Sequence, residues 1–321
     1  MKAPRIPTIL LFLLGVCSAM AADALRVAVA KTPLSLPFYV AESQNYFAAE
    51  GVAVKLTDVI GGHRTLQQVF AGEADLATSS EAVVMFNSFK RNDFAVLATF
   101  VSSDDDVKII ARKDLDLTRP EQLAGMRFAT VVGAASHYYL DTWLLFHGVD
   151  TKSVKVVNMQ PEAMSAALSK GEVDAVAIWE PHPFMIVNAV PGARLLPNTR
   201  TYVLTFNLVG QKTMIRQRED EMVRLLRALD RAQSFIKAEP KKAQAILRTR
   251  LGLDQAFVDW IWPHYTFRLA LDQWLLSALE SQARWARREG YVTDGRSINY
   301  LDFIESATLR KVRPDLVGIV K

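Results

Sequence analysis

Apolar and polar residues follow one another along this 321-residue chain in two rhythms. Short β-branched runs, such as LRVAVA from Leu25 and DAVAIW from Asp174, have the apolar density of strands buried on both faces. Between them, apolar residues recur at helical spacing. The order of these elements is written twice. Residues 25–78 give a strand (Leu25–Ala30), a helix, Gly51, a strand (Val52–Ile60), a helix (Thr65–Ala71) and a strand (Asp75–Thr78). Residues 126–178 give a strand (Arg127–Val132), a helix, Gly148, a strand (Ser153–Met159), a helix (Ala163–Lys170) and a strand (Asp174–Trp179). A phrase G-E-x-D marks the same joint in each, with Gly72 and Gly171 separated by 99 positions. Two βαβαβ units are predicted, with these glycines as left-handed helix ends.

Helices of this length between strands imply largely parallel sheets covered on both faces, and right-handed crossovers gather the strand-to-helix loops at one edge. Ligands of open α/β sheets bind at that edge. In the first half the loops are residues 32–37, 61–64 and 79–81; in the second they are 133–137, 160–162 and 179–182. Two such edges facing each other enclose a cleft. The chain is therefore read as α/β with two lobes, each a mixed, mostly parallel sheet flanked by helices. Residues 22–107 and 207–321 form the first lobe and 112–203 the second. Two β-rich stretches serve as a paired hinge, with crossings near 107–112 and 201–207. From Thr213 the pattern turns helical, with one stripe at Met222, Leu225, Leu226 and Leu229 and another at Leu271, Trp274, Leu275, Ala278 and Leu279. These helices are expected on the first lobe, with breaks at Glu239-Pro240 and Leu251-Gly252.

The N-terminus changes the picture of where the protein works. A basic start (Lys2, Arg5), an apolar stretch from Ile9 to Val16 and the small residues Ala19-Met20-Ala21 read as an export signal over residues 1–21. Cys17 raises lipid anchoring as an alternative, but Val16 stands where a small residue is normally needed. Cys17 is the chain's single cysteine, so cleavage removes disulfides, thiolate metal sites and a cysteine nucleophile together. The formal net charge of +4 falls to +2 when Lys2 and Arg5 leave. Its basic groups are interspersed with acidic ones, as in REDEMVRLLRALDR, so no nucleic-acid partner is expected.

Candidate chemistry sits in the six loops. Small residues from Gly133 to Ser136 let a ligand approach the backbone, and Ser136 is suited to cap the next helix, whose free N–H groups attract an anion. Ser79 and Ser80 occupy the matching place in the first lobe, and Gly62 closes the loop beside them. Trp179 can stack on a planar guest. Glu180 either turns outward or meets an amine on that guest. Arg64 is expected in solvent, and Asp104-Asp105-Asp106 reads as a solvated turn lacking the glycine and distal glutamate of a calcium loop. The five histidines have no ligand spacing, no phosphate-binding glycine motif or nucleophile elbow occurs, and neither metal nor cofactor is expected.

Several of these stretches together resemble the periplasmic solute-binding proteins of ABC importers, in the group of sulfonate, taurine, nitrate and thiamine-precursor binders. They are Pro33–Phe38 with Tyr46–Gly51, Gly72–Asp75, Gly133–Tyr139, Asp174–His182 and Asn299–Ile304. The resemblance implies a two-lobed type II binding fold that closes on one small molecule and delivers it to a membrane permease with its ATPase, with a monomer suiting the role. It also implies ligand contacts from Leu34, Ser35 and Leu36, from Ser136 and His137, and from the Trp179 loop. Gly133-Ala134-Ala135-Ser136 carries fewer hydroxyls than the Gly-Ser-Thr of sulfonate binders, so sulfonate, nitrate, carboxylate and heteroaromatic amine all stay open. Related scaffolds include desulfinase-like hydrolases and pyrimidine synthases, and a sensory receptor is the third alternative.

Overall fold

The computed structural model describes residues 23–113 and 119–319, so the expected export segment with Cys17 lies outside the described residues. β1 (Leu25–Ala30) leads through a tight turn at Pro33–Ser35 into α1 (Leu36–Ser43) and α2 (Tyr46–Ala49). β2 (Val54–Val59), α3 (Gly62–Phe70), β3 (Leu76–Ser80), α4 (Glu81–Ser88) and the long β4 (Phe94–Ser103) follow. Then come β5 (Val107–Ala111), β6 (Arg127–Thr130), α5 (Ala135–Phe146), β7 (Lys155–Asn158), α6 (Pro161–Lys170), β8 (Ala175–Trp179), α7 (His182–Ala189) and the short β9 (Arg194–Leu195). The chain continues through β10 (Leu204–Gln211), α8 (Lys212–Gln217), α9 (Glu219–Ala238), α10 (Pro240–Leu251), α11 (Gln255–Ile261), β11 (Tyr265–Ala270), α12 (Gln273–Arg288) and α13 (Ala307–Val312).

Two mixed sheets result, one ordered β11-β4-β10-β3-β1-β2 and the other β7-β6-β8-β5-β9. Parallel pairing is confined to the three strands of each repeat, β2-β1-β3 and β7-β6-β8. The expectation of mostly parallel sheets holds for those cores only. β4, β5, β10 and β11 arrive from the crossings and the C-terminal segment and pair antiparallel.

The recurring phrase has a structural cause. In the first repeat the Arg26 guanidinium donates to Asp75 Oδ1 at 2.7 Å and to the Gly72 carbonyl at 2.9 Å, while the Arg26 backbone N–H donates to Asp75 Oδ2 at 2.8 Å. In the second, Arg127 repeats the pattern on Asp174 at 2.9 Å and on the Gly171 carbonyl at 2.7 Å. Glycine and aspartate thus tie the end of one helix and the start of a strand to the neighbouring strand. Gly171 holds φ +70° and Gly72 +75°, the left-handed conformation the helix ends require.

The crossings lie at residues 104–106 and 196–203 instead of 107–112 and 201–207. Val107–Ala111 and Leu204–Gln211 are already paired within their sheets, and the polar residues before each form the actual passages. In the C-terminal segment α9 packs on α1 and α12 on α4, with breaks at Pro240 and at Gly252 (φ +69°). Met222, Leu225, Leu226 and Leu229 are buried as the stripe predicts. The second stripe is shifted: α12 buries Leu275, Leu276, Leu279, Ala283 and Trp285, while Trp274 is 55% exposed. The helix begins only at Gln273, and this phase turns the indole of Trp274 outward.

Candidate functional site

Loops from both sheets meet around one small, partly open cavity of about 20 Å³, room for roughly a single water molecule as the lobes stand. Its first wall comes from Thr32 and Leu34 after β1, Gly62 and His63 after β2, and Ser80 and Val83 around the start of α4. The second wall is Ala134 and Ala135 at the start of α5 with Trp179 at the end of β8. Asp106, from the first crossing, and Leu204 and Phe206 of β10 complete it.

Backbone geometry explains several of these positions. Gly62 lies so close to its neighbours that a Cβ there would sit 3.1 Å from the Ser79 backbone and 3.2 Å from the Phe206 ring. Its carbonyl accepts hydrogen bonds from Ser79 Oγ and Thr65 Oγ1, both at 2.8 Å, which fix the loop. The N-cap of α5 is Ala134, which offers no side-chain acceptor, and this helix start lines the cavity through Ala134 and Ala135. Trp179 packs edge-on against His63 at 6.1 Å between ring centroids. Burial and the nearby Arg64 keep the His63 pKa below the ordinary histidine value.

Leu34, Gly62, Ser80 and Trp179 thus converge, as the sequence suggested, while the other six expected residues stand outside this lining. Ser35 is buried and its hydroxyl donates to the Ala30 carbonyl at 2.7 Å; Leu36 is core. Ser79 supports Gly62 from behind. Ser136 is not the helix cap: the helix starts earlier, with Ala134 in the cap position, which leaves Ser136 bonded to Thr130 at 2.8 Å. His137 is fully buried between Trp285 and Tyr291, with ring centroids at 5.2 and 4.3 Å, and burial pushes its pKa down to about 4. It packs there on Trp285 of α12 and on Tyr291 just beyond that helix, outside the pocket lining. Glu180 is fully buried away from the lining, accepting from Trp260 Nε1 at 2.7 Å, from the Phe184 N–H at 3.3 Å, and pairing with Lys108 Nζ at 3.3 Å.

Two solvent assignments are also corrected. Arg64 bridges the lobes, donating to Glu162 at 2.6 Å and Gln160 at 2.8 Å. The Asp104-Asp105-Asp106 run is an interior junction: Asp106 is 1% exposed and accepts from the Tyr265 hydroxyl at 2.6 Å, and Asp105 meets Lys108 at 3.4 Å and His264 at 3.4 Å. Eight lining residues were not among those expected: the polar Thr32, His63 and Asp106, and Val83, Ala134, Ala135, Leu204 and Phe206. The only available signal for Asp106 was the run of adjacent carboxylates at residues 104–106, which forms the first crossing and of which Asp106 alone lines the pocket. Elsewhere along the interface, Asp141 of α5 accepts from Trp285 Nε1 at 3.1 Å and the Tyr291 hydroxyl at 3.2 Å.

Residues 32–243 match the family described as NMT1/THI5 like. The taurine-binding periplasmic protein of Escherichia coli strain K12 is 26% identical over 164 residues, and the match covers 51% of this chain and 51% of that relative, about half its length. The crystal structure of the periplasmic aliphatic sulphonate binding protein SsuA from Escherichia coli superposes with a TM-score of 0.73 at 17% identity, covering 88% of this chain and 92% of that one. The desulfurization enzyme DSZB gives a TM-score of 0.66 at 16% identity, covering 91% and 99%. At such identities the structural likeness establishes the two-lobed α/β fold. Among the described residues no helix is long and apolar enough to cross a membrane.

Proposed function

Because this chain belongs to the NMT1/THI5-like family, we propose that it is an extracytoplasmic solute receptor. It closes its two lobes on one small molecule and presents the closed form to an ABC permease with its ATPase, working in the periplasm as a monomer. The observation that carries this reading is the pocket itself, lined by the carboxyl-edge loops of both sheets and the first crossing. The names of the taurine-binding and sulphonate-binding proteins point the same way. The lobes act as the moving bodies, residues 104–106 and 196–203 as their hinge, and Leu34, Gly62, Ser80 and Trp179 contact the guest together with Thr32, His63 and Asp106.

Mass spectrometry of the small molecules released from protein purified out of a periplasm, followed by small-angle scattering on re-addition, tests this. A released compound whose return compacts the protein supports it; a compound that binds without compaction refutes the closure mechanism.

Catalysis on the same scaffold is the second reading, because a desulfurization enzyme shares the fold. Cys17 is the only cysteine in the sequence, and the pocket lining contains no serine–histidine hydrogen bond of the kind nucleophilic catalysis needs. Binding without turnover is therefore preferred. Hydrolysis of an aryl sulfinate by the purified protein, lost in His63→Ala, would reverse that preference.

A further inference from the structure

The charges around the pocket are unbalanced. Among its described lining residues there is no lysine or arginine, and Arg64, next to His63, is held by Glu162. Asp106 is the one formal charge on the wall. Its Oδ1 accepts from Tyr265, whereas its buried Oδ2 has no partner, and neither has the buried Oγ1 of Thr32 across the same cavity. Behind Asp106 stand two further carboxylates, Asp105 and Glu180, which share one ammonium, Lys108. Glu81, fully buried at the start of α4, is bound to Tyr202, Thr205 and Gln282. Among the described residues no group of carboxylate and histidine side chains is arranged to hold a metal ion, so a cation of that kind does not supply the missing charge.

Resting on the receptor reading above, we propose that the guest presents an N–H-bearing nitrogen, as an ammonium, amidinium or amino-substituted ring, to Oδ2 of Asp106, and carries no net negative charge. A buried carboxylate with an empty acceptor position gains a charge-assisted hydrogen bond from such a group. A simple anion in the same place would be desolvated beside an uncompensated like charge. Trp179, Phe206 and Leu34 offer apolar surface for the flat body of the guest once the lobes part enough to enlarge the cavity. Ala134 and Ala135 bring the N-terminus of α5 to the same cavity, and that end of a helix favours an acceptor oxygen, so a zwitterion meets both requirements.

The pH dependence separates this from anion binding by sign. Burial pushes the Asp106 carboxyl up to about 7 against the pull of the Tyr265 hydroxyl; Glu180 and Asp105 add to the rise and Lys108 opposes it. The other groups facing this junction are Tyr202, His264 on Asp105, and His63 across the cavity, whose pKa is lowered. A cationic nitrogen requires the ionised carboxylate, so its affinity rises as pH increases through about 7. An anion prefers the protonated acid, so its affinity falls over the same range.

Calorimetric titration with two matched pairs of probes tests the proposal: benzamidine against benzoate, and taurine against isethionate. The nitrogen-bearing member of each pair should bind at least tenfold more tightly, its affinity should rise from pH 6 to pH 8, and Asp106→Asn should erase both the preference and the pH slope. Equal binding within the pairs, or affinity for the anions that rises as pH falls, overturns the proposal and leaves the receptor reading intact. The proposal falls equally if the compound released from the periplasmic protein is a simple anion without nitrogen. Silence toward all four probes also overturns it, and the compaction measurement then decides the receptor reading separately.

Discussion

The two repeats share a frame and differ in what they show to the cavity. An offset of 99 residues pairs Gly72 with Gly171, Asp75 with Asp174, Ser80 with Trp179 and Glu81 with Glu180. The first two pairs do the same task in both lobes, anchoring a helix end to Arg26 or Arg127. At the third pair the lobes part: the same strand-end position supplies a small hydroxyl on one wall and an indole on the other. The fourth pair is buried in both, yet its partners differ. Glu81 binds neutral donors from the second crossing, β10 and α12, and Glu180 binds the charged Lys108 beside the first crossing together with Trp260. The repeats share the frame, and the different residues at one strand end make the pocket asymmetric.

The fourth pair offers the strongest test of that comparison. Glu180→Ala removes one of the two carboxylates that share the buried Lys108 ammonium, leaving Asp105 beside it, and strands the Trp260 and Phe184 N–H groups, so it should lower unfolding free energy by about 3 kcal/mol. Glu81→Ala strands only neutral donors and should cost about 1–3 kcal/mol. Urea denaturation of the two variants checks the order, and equal losses would remove the distinction between the lobes. For the third pair, Trp179→Ala should weaken binding of the co-purifying solute by about 1–3 kcal/mol, and Ser80→Ala by less than about 1 kcal/mol. If both variants bind with unchanged affinity while staying folded, the walls do not divide the work in this way.

The helices that open the repeats after their first strands also differ, because α5 buries Asp141 and α1 buries no carboxylate. Burial pushes Asp141 up to about 6, although Trp285 and Tyr291 donate to it. A carboxyl raised in the folded protein contributes most at low pH and loses that contribution as pH rises through about 6. Asp141→Asn should therefore flatten the stability profile between pH 4 and pH 7, by about 1–2 kcal/mol. Thermal unfolding across that range measures it, and an unaltered profile would mean that Asp141 titrates as an ordinary carboxylate.

The smallest effects belong to the shared frame. Burial pushes the Asp75 carboxyl up but the hydrogen bonds and charge of Arg26, with Arg218, together outweigh it, and for Asp174 the Arg127 hydrogen bond exceeds the burial, so both carboxyls lie below the usual range. Their contribution is present above the ordinary carboxylate pKa and disappears as pH falls through the lowered one. Each Asp→Asn change at these half-exposed ion pairs should cost about 0.5–1 kcal/mol at neutral pH. A several-fold difference between the two would break the equivalence of the frames.

The frame was legible because its signals are local. Leu25–Ala30 and Ala175–Trp179 are continuous apolar runs, and the glycine–aspartate phrase sits within one turn of the chain it organises. The crossings were placed a few residues late because Val107–Ala111 looks the same as a strand or as a β-rich hinge until its partner β8 is known. Asp104–Asp106 reads as solvated since polar runs usually are. Its partners Tyr265 and His264 stand some 160 positions away, and Lys108 gives no sign of lying inside. Ser136 and His137 failed for the opposite reason: a serine near a helix start is a sound local signal, but the helix begins earlier and turns both residues inward. Arg64 became a bridge only because a second lobe stands opposite it.

The bonds that join the lobes around the cavity carry a consequence for timing. On the proposed closing motion, Arg64 with Glu162 and Trp260 with Glu180 span the gap that widens when a guest departs, while Tyr265 ties Asp106 of the first crossing to β11. Dwell time would then follow how often these two ruptures coincide, and the rim pair, being the more solvated, is the one that ionic strength can hurry.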